Sequence, residues 1–237
     1  MDYINVNLNV NGFGVKARYL QKDVDELFLP LIRRLEGMRK RTLVYLAAPP
    51  GAGKTTLSLF LAQLSAKIQA VGIDGFHYPQ SYIETHSVTV SGKTVPMRRV
   101  KGSPETYDIK KLADALSRLR HEDIRLPLYD RNLHDVVQDA TLVRGEIVLV
   151  EGNWLLLDEP EWRDALPPCD YSIFISADEE MLKERLIQRK ISGGSSPAAA
   201  EEFYRESDGA NVVRALANRR ECDCTLTLLK NGEYKLC

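Results

Sequence analysis

The stretch "APPGAGKTT", Ala48 to Thr56, is the most informative segment of this sequence. It ends in Gly-Lys-Thr, as the phosphate-binding pattern G-x-x-x-x-G-K-[ST] does, but Ala48 stands where that pattern begins with glycine. A phosphate cradle needs converging backbone N–H groups ahead of a helix N-terminus, and Gly51 and Gly53 supply the backbone freedom for it. Because position 48 is a strand exit, where a methyl group can be accommodated, we interpret Ala48 as a tolerated variant of a working phosphate loop.

The segments on either side of the loop support this interpretation. The apolar run "TLVYLAA" precedes it, and residues 54–67 follow with apolar side chains at helical spacing. This context disfavours the alternative, a glycine-rich turn before an ordinary helix. In such a loop Lys54 reaches the β- and γ-phosphates, and the hydroxyl of Thr55 binds Mg²⁺. The residues predicted to bind the nucleotide are Pro50, Gly51, Ala52, Gly53, Lys54, Thr55 and Thr56.

Short apolar runs alternate with amphipathic helices along the rest of the chain. The runs "IQAVGID", "EIVLVEG", "YSIFIS" and "CTLTLL" have strand length, and Asp108 is placed to cap a helix that reaches Arg120. This alternation predicts an α/β fold in which helices cover both faces of a mostly parallel sheet. Residues 3–20 alternate polar and apolar around Asn11-Gly12, which predicts an additional N-terminal β-hairpin.

A length of 237 residues predicts one domain, residues 1–237. Residues 1–40 should form the hairpin and a helix that Pro30 kinks or divides. Residues 87–100 predict a protruding hairpin that turns at Gly92. Residues 185–200 combine the end of a basic helix with a small-residue segment that could form a lid, and Ser176 and Glu179 have the spacing of a capping box that opens this helix.

Composition narrows the classes of function. The contents of hydrophobic residues (44%) and charged residues (27%) are those of an ordinary globular enzyme. A formal net charge of -1 gives no overall attraction to nucleic acid or membrane, so neither is an expected partner. We expect a cytoplasmic protein, because no apolar run approaches the roughly 20 residues of a membrane span and the N-terminus lacks a signal pattern. The cysteine spacing does not match a zinc site, which favours reduced, packed thiols.

Two carboxylates follow predicted strands, at the edge where parallel sheets bind ligands. Asp74 ends "VGID", and a carboxylate there can accept the proton of an attacking hydroxyl. The alternative for Asp74 is an ordinary Asp-Gly turn. Glu151 follows "IVLV" and can orient the water molecules of a metal ion. The alternative for Glu151 is a strand-end carboxylate that faces solvent.

Arg185 and Arg189 lie four residues apart, on one face of the basic helix. Such a pair can close over a nucleotide and neutralise charge in the transition state. The alternative is a solvated basic face whose partners are Glu180 and Glu184. Both interpretations are open on the sequence alone.

Five motifs occur in order and together resemble a known family. They are "PPGAGKTT", "DGFHY", "KGSPETYD", "LPLYDRNLHD" and "VEGNWLLLD". The set is similar to the phosphoribulokinase, uridine kinase and bacterial pantothenate kinase family of P-loop kinases, over about residues 43–229. The segment "KGSPETYDIKKL" is most like the pantothenate kinases. "EGNWLLL" and "YDRxxHD" are more like an uncharacterised bacterial branch described as nucleoside, nucleotide or sugar kinases.

The resemblance implies the three-layer fold of P-loop NTPases, the cofactors ATP and Mg²⁺, and transfer of the γ-phosphate to a hydroxyl of a small molecule. It makes Asp74 the general base, Thr55 and Glu151 the metal environment, and Arg185 and Arg189 lid arginines that act with Lys54. It points to "ANRRECD" as the adenine-side loop, with Asn218 and Arg219 as contacts. For the acceptor it implies contacts from His77, Tyr78, Lys101, Tyr129, Arg131 and His134.

The acceptor stays open among nucleosides, sugars or sugar phosphates, and pantothenate-like acids. The chain is shorter than the pantothenate kinases and differs from them in the acceptor region, which weighs against pantothenate itself. The rival function is an ATPase or nucleotide-switch module that regulates a partner, although the "NKxD" and "DxxG" patterns of guanine-nucleotide switches are missing. The retained Lys54, Thr55, Asp74 and Glu151 weigh against a binding-only relative. The family also suggests a homodimer.

Overall fold

The computed structural model describes residues 2–10, 12–38, 41–90 and 92–237. Its strands are β1 (Tyr3–Val10), β2 (Phe13–Leu20), β3 (Thr42–Ala47), β4 (Ile68–Gly72), β5 (Ser87–Val90), β6 (Lys93–Pro96), β7 (Ile124–Asp130), β8 (Asp135–Val143), β9 (Ile147–Gly152), β10 (Tyr171–Ala177), β11 (Cys224–Leu228) and β12 (Tyr234–Leu236). Its α-helices are α1 (Gln21–Asp23), α2 (Leu29–Glu36), α3 (Lys54–Leu64), α4 (Gln80–Thr85), α5 (Ile109–Leu119), α6 (Pro160–Arg163), α7 (Glu179–Ser192), α8 (Pro197–Phe203) and α9 (Gly209–Ala217). Short 3₁₀ turns cover Asp74–Phe76, Met97–Arg99 and Pro104–Thr106, and π-helical turns cover Val24–Phe28 and Tyr204–Asp208.

The central sheet has the strand order β12-β11-β10-β3-β9-β4. All neighbours are parallel except β12, which runs antiparallel to β11 at one edge. Every residue of β3 and β9 is buried, because α3 and α7 pack on one face of the sheet and α5 and α6 on the other. Burial on both faces explains why these strands are unbroken apolar runs, and it confirms the predicted three-layer α/β fold.

The N-terminal hairpin is also confirmed. Strands β1 and β2 pair antiparallel with Val10 opposite Phe13, and Asn11 of the predicted turn lies outside the described residues. The hairpin contacts the phosphate-loop helix, because the ring of Tyr19 stacks on Phe60 of α3 with centroids 4.2 Å apart. A π-helical turn separates α1 from α2 directly before Pro30, which has no N–H to donate to the preceding turn.

The start of α7 differs from the prediction. The N-cap is Asp178, whose Oδ1 accepts a hydrogen bond from the backbone N–H of Met181 at 3.0 Å. Ser176 belongs to β10 instead, because that strand continues to Ala177. The predicted capping box of Ser176 and Glu179 is therefore wrong. The predicted cap Asp108 is correct, since its Oδ1 accepts from the N–H of Lys111.

Two hairpins project from the sheet layers. Strands β5 and β6 form the one predicted over residues 87–100, with Gly92 at a φ of 75°. Strands β7 and β8 form a second hairpin that the sequence did not predict, and β12 is also additional. The small-residue segment before α8 ends at the N-cap Ser196. None of the helices formed by the described residues has the length and hydrophobicity of a transmembrane span.

Candidate active site

The loop between β3 and α3 has the geometry of a phosphate cradle. Gly51 and Gly53 have φ angles of 83° and 82°, in the left-handed region that glycine adopts at little cost. Gly53 is the N-cap of the 11-residue helix α3, so no side chain caps the first N–H groups of that helix. Ala48 is fully buried in the core, which agrees with the expected accommodation of its methyl group. The loop therefore offers backbone donors and a helix N-terminus to an anion.

Glu151 lies at the carboxyl end of β9, beside the first turn of α3. Its Oε1 accepts a hydrogen bond from Thr55 Oγ1 at 2.7 Å, and its Oε2 lies 3.9 Å from Lys54 Nζ. The residue is 8% exposed, so the alternative of a solvent-facing carboxylate does not hold. Thr55 and Glu151 thus bring two hard oxygen donors together next to the phosphate loop.

Asp74 opens the 3₁₀ turn that follows β4, and its side chain is accessible from a cleft. Its Oδ1 accepts a hydrogen bond from the hydroxyl of Tyr107 at 3.2 Å. The next residue must be small for a packing reason: a Cβ on Gly75 would lie 2.2 Å from the carbonyl oxygen of Pro127 in β7. Glycine is needed here because two chain segments approach each other closely. That requirement distinguishes this position from the ordinary Asp-Gly turn that was the alternative.

The two carboxylates have opposite pKa shifts. Partial desolvation by the surrounding protein acts to raise the pKa of Asp74. The charges of His77 and Lys54 and the hydrogen bond from Tyr107 outweigh this effect and lower the pKa below the ordinary value. Burial raises the pKa of Glu151, and the charge of Asp74 adds to that effect against the opposing charge of Lys54. Asp74 is therefore the carboxylate of the pair that stays ionised more readily.

Burial lowers the pKa of His77 below the ordinary value of 6.5, against the charge of Asp74, which acts to raise it. The Nδ1 atom of His77 lies 2.9 Å from the backbone carbonyl of Asp74 and must donate, since a carbonyl only accepts. The ring packs against Tyr107 with centroids 3.8 Å apart. His77 thus supports the backbone of the Asp74 turn.

A cleft with a cavity volume of about 120 Å³ opens beside Asp74. Thr55 and Glu151 line it at one end, and Tyr129 and Arg131 of the β7–β8 hairpin line it at the other. Lys101 Nζ donates to the hydroxyl of Tyr129 at 2.9 Å and to Gln80 Oε1 at 2.6 Å. The structure therefore brings three predicted acceptor residues, Lys101, Tyr129 and Arg131, to the Asp74 side of the phosphate loop.

Two other predicted acceptor residues have different surroundings. The ring of Tyr78 stacks on Tyr82 with centroids 4.6 Å apart. His134 is exposed in the turn between β7 and β8, where its φ is 53°. Neither residue lines the cleft beside Asp74. The motif that contains each residue reaches the site, but these two side chains do not.

The predicted lid arginines project from α7, which packs on the phosphate loop. A Cβ on Gly51 would lie 3.1 Å from Leu186 Cγ, so loop and helix are in close contact. Arg185 is exposed, and its Nη1 lies 3.5 Å from the carbonyl oxygen of Gly51. Arg189 is exposed one turn further, where its charge lowers the pKa of Asp208 against the stronger effect of burial. Arg185 is thus the arginine placed next to the loop.

Asn218 and Arg219 lie in the segment between α9 and β11. The guanidinium of Arg219 stacks on Phe174 at 4.7 Å, and Phe174 pairs with Ala47 at the carboxyl end of β3. Asn218 Nδ2 lies 3.4 Å from Glu159 Oε1. The role of both residues beside the adenine stays a prediction.

The structure also adds residues that sequence reasoning missed. Tyr107 belongs to the quoted motif "KGSPETYD", so the motif was the signal, but only the fold shows that its hydroxyl reaches Asp74. Asn9 of β1 lines the cleft beside Thr55, and no local pattern in the sequence indicates this.

Comparisons with known proteins identify relatives of the whole chain. No family model matches the chain. The chain is 39% identical over 242 residues to the uncharacterised protein YggC of Escherichia coli, covering 98% of both proteins. It is 28% identical over 207 residues to a pantothenate kinase of Bradyrhizobium sp., covering 72% of this chain and 62% of that enzyme.

A solved structure has a similar fold. The crystal structure of a proposed fructose transport system kinase from Silicibacter sp. superposes with a TM-score of 0.74 at 33% identity, covering 84% of this chain and 98% of the other. The motif order, the fold and these relatives agree. The chain belongs to the phosphoribulokinase, uridine kinase and pantothenate kinase family of P-loop kinases.

Proposed function

We propose that this protein transfers the γ-phosphate of ATP to a hydroxyl group of a small molecule. The observation that carries the proposal is the position of Asp74. Its carboxylate has a lowered pKa and faces the same cleft as Thr55 and Glu151, at the end of a loop built to hold phosphates. The kinases among its relatives support phosphoryl transfer as the reaction class.

In the proposed reaction Asp74 accepts the proton of the acceptor hydroxyl as the hydroxyl oxygen attacks the phosphorus. Tyr107 donates to Oδ1, which leaves Oδ2 free to accept from the acceptor. Lys54 and the loop N–H groups stabilise the charge of the transferred group. Arg185, next to Gly51, is placed to add positive charge and, together with Arg189, to exclude water from the transfer.

The residues beside the loop fit a Mg²⁺ ion. Thr55 Oγ1 and a carboxylate oxygen of Glu151 are hard donors 2.7 Å apart. Mg²⁺ in nucleotide sites is commonly held by one or two protein oxygens together with phosphates and water. When bound, the ion neutralises charge on the β- and γ-phosphates. On this basis we assign Thr55 and Glu151 to the metal and Asp74 to the acceptor.

The acceptor contacts we propose are Tyr129, Arg131 and Lys101. Lys101 already uses two of its three N–H donors on Gln80 and Tyr129, so its main effect is to fix the tyrosine. Arg131 is the cleft cation able to grip a carboxylate or phosphate on the acceptor. The acceptor classes we propose are nucleosides, sugars or sugar phosphates, and pantothenate-like acids.

A screen of small alcohols with ATP and Mg²⁺, read by mass spectrometry for a phosphorylated product, tests the proposal. We expect product with at least one acceptor, none with Lys54→Ala, and retained nucleotide binding without transfer in Asp74→Asn. Near-native phosphoryl transfer by Asp74→Asn would contradict the assignment of Asp74 as the general base. If none of the acceptors changed the rate of ADP release, an ATPase or nucleotide-switch function would be favoured instead.

A further inference from the structure

A second cleft, which we name the α9 cleft, lies apart from the phosphate loop and has a cavity volume of about 740 Å³. One wall is the chain around Ser103 and Glu105. The opposite wall is the π-helical turn Tyr204–Asp208 together with α9. The residues that line it, all within the described part of the chain, include none of those assigned above to phosphate, metal or base.

Three polar atoms in this cleft are buried without a hydrogen-bond partner among the described residues. They are Ser103 Oγ, Ser207 Oγ and Glu105 Oε2. Ser103 is 4% exposed and Ser207 is 5% exposed, so bulk water does not reach their side chains freely. Buried polar atoms are nearly always paired in native proteins, because leaving one unpaired costs free energy. Three such atoms around one cleft indicate a site that a polar ligand completes.

The protein does not use its own nearby groups to satisfy these atoms. Ser103 occupies the N-cap position of the 3₁₀ turn Pro104–Thr106, yet its side chain makes no capping hydrogen bond. Arg214, the one cation among the described residues that line the cleft, is already paired. Its Nε and Nη2 donate to the carboxylate of Glu159, and its Nη1 donates to Glu105 Oε1 at 2.8 Å. Glu105 Oε2 is thus left as an acceptor for something else.

The charges of the cleft decide which ligand chemistry fits. Three carboxylates, Glu105, Glu159 and Glu206, line it with a single guanidinium, so an anion is disfavoured. A free carboxylate oxygen accepts from O–H or N–H donors, and serine hydroxyls both donate and accept. We propose that the α9 cleft binds a neutral or cationic small molecule rich in hydroxyl or amino groups.

The position of the cleft would couple such a ligand to the phosphoryl-transfer site. Within one short segment, Lys101 and Tyr107 contact Tyr129 and Asp74, whereas Ser103 and Glu105 line the α9 cleft. The two sites therefore share a wall. Two kinds of molecule could supply such a ligand: a long acceptor whose far end enters the α9 cleft, or a separate effector. Either one would order the segment from Lys101 to Tyr107.

The test uses three probes on one carbon skeleton: neutral D-sorbitol, its amino analogue D-glucamine and its carboxylic acid D-gluconate. Binding is followed in the nucleotide-free protein through the indole N–H signals of the chain's 2 tryptophans. Trp154 reports on the cleft, because its Nε1 donates to the carbonyl of Gly102, next to Ser103. We expect D-glucamine or D-sorbitol to shift the Trp154 signal with millimolar affinity and D-gluconate to bind about tenfold or more weakly.

Variants locate the binding. Ser207→Ala and Ser103→Ala should each weaken it about threefold to tenfold, the effect of one hydrogen bond. Ser117→Ala, on the exposed face of α5, should leave it unchanged. Any of three results would overturn the proposal: no shift of the Trp154 signal with any probe, tightest binding of D-gluconate, or unchanged probe binding in the serine variants. Phosphorylation of the bound probe in the presence of ATP identifies it as an acceptor, and an altered rate with a different acceptor identifies an effector. The binding result stands or falls independently of the proposed kinase activity.

Discussion

At the scale of single residues, the site depends on two neighbouring carboxylates that do not titrate alike. The environment raises the pKa of Glu151 and lowers that of Asp74, although desolvation acts to raise both pKa values. Pairs of acids whose pKa values are pushed apart divide their chemical roles. Asp74 therefore stays ionised to a lower pH than Glu151. The difference follows from the partners of each carboxylate: His77, Lys54 and the hydroxyl of Tyr107 lower the pKa of Asp74, whereas burial dominates at Glu151.

Replacement of Tyr107 by phenylalanine tests this division. The variant loses the hydrogen bond to Asp74 Oδ1, so the pKa of Asp74 should rise. Because the base must be unprotonated, transfer should then fail at a higher pH than in the wild type. We expect the acid limb of the pH profile of kcat/KM to move up by about one pH unit, the equivalent of a hydrogen bond to a charged group. The measurement is that profile with the acceptor found in the screen.

The control for this change is Tyr82→Phe. Tyr82 also belongs to an aromatic cluster, but its ring stacks on Tyr78 and His86, away from Asp74. The acid limb should stay in place in Tyr82→Phe. If the acid limb of the pH profile did not move in Tyr107→Phe, the hydroxyl of Tyr107 would not control the protonation state of Asp74.

At the scale of secondary-structure elements, the turn that carries Asp74 is positioned by contact with β7. A Cβ on Gly75 would meet the Pro127 carbonyl at 2.2 Å, so Gly75→Ala must push the turn away from that strand. We expect a loss of about 1–3 kcal/mol in the free energy of unfolding, typical of overpacking, together with loss of transfer. Gly14→Ala in β2 is the matched control, because a Cβ there has nothing within 4 Å. Denaturant unfolding and the transfer assay would contradict the prediction if the two variants behaved alike.

The start of α7 gives a second prediction at this scale. Asp178 caps the helix that carries Arg185 and Arg189, so Asp178→Ala should cost about 1 kcal/mol in the free energy of unfolding. Ser176→Ala should cost less, because Ser176 lies in β10 and does not cap α7. The comparison is made by denaturant unfolding of both variants. A larger loss in Ser176→Ala would restore the capping box predicted from the sequence.

These elements also show what the sequence could and could not predict. Strands buried on both faces, such as β3 and β9, are continuous apolar runs, and the loop between β3 and α3 is a local motif, so both were predictable. The β7–β8 hairpin was missed because Pro127 and a register irregularity interrupt its pattern. The contact of Tyr107 with Asp74 joins positions 33 residues apart. The roles of Asn218 and Arg219 beside the adenine stay predictions.

At the scale of the whole molecule, the cleft is assembled from parts of the chain that are far apart in sequence. The phosphate loop and α3 supply Thr55, β9 supplies Glu151, the β7–β8 hairpin supplies Tyr129 and Arg131, and the N-terminal hairpin supplies Asn9. The stack of Tyr19 on Phe60 fixes this last piece to α3. The N-terminal hairpin is therefore expected to shape the acceptor side of the site in addition to covering the core.

Asn9→Ala tests that expectation. The side chain of Asn9 lines the cleft, and its Oδ1 accepts from the N–H of Gly12, which leaves the amide N–H₂ group free to donate to an acceptor. Losing one such hydrogen bond should raise the acceptor KM about threefold to tenfold without changing the affinity for ATP, since no contact to the loop is removed. Asn5→Ala, on the same exposed face of β1, removes an identical group outside the cleft and should leave both constants alone. If the two variants raised the acceptor KM equally, the effect would come from loosening the N-terminal hairpin. If only the affinity for ATP changed, the acceptor would lie elsewhere in the molecule.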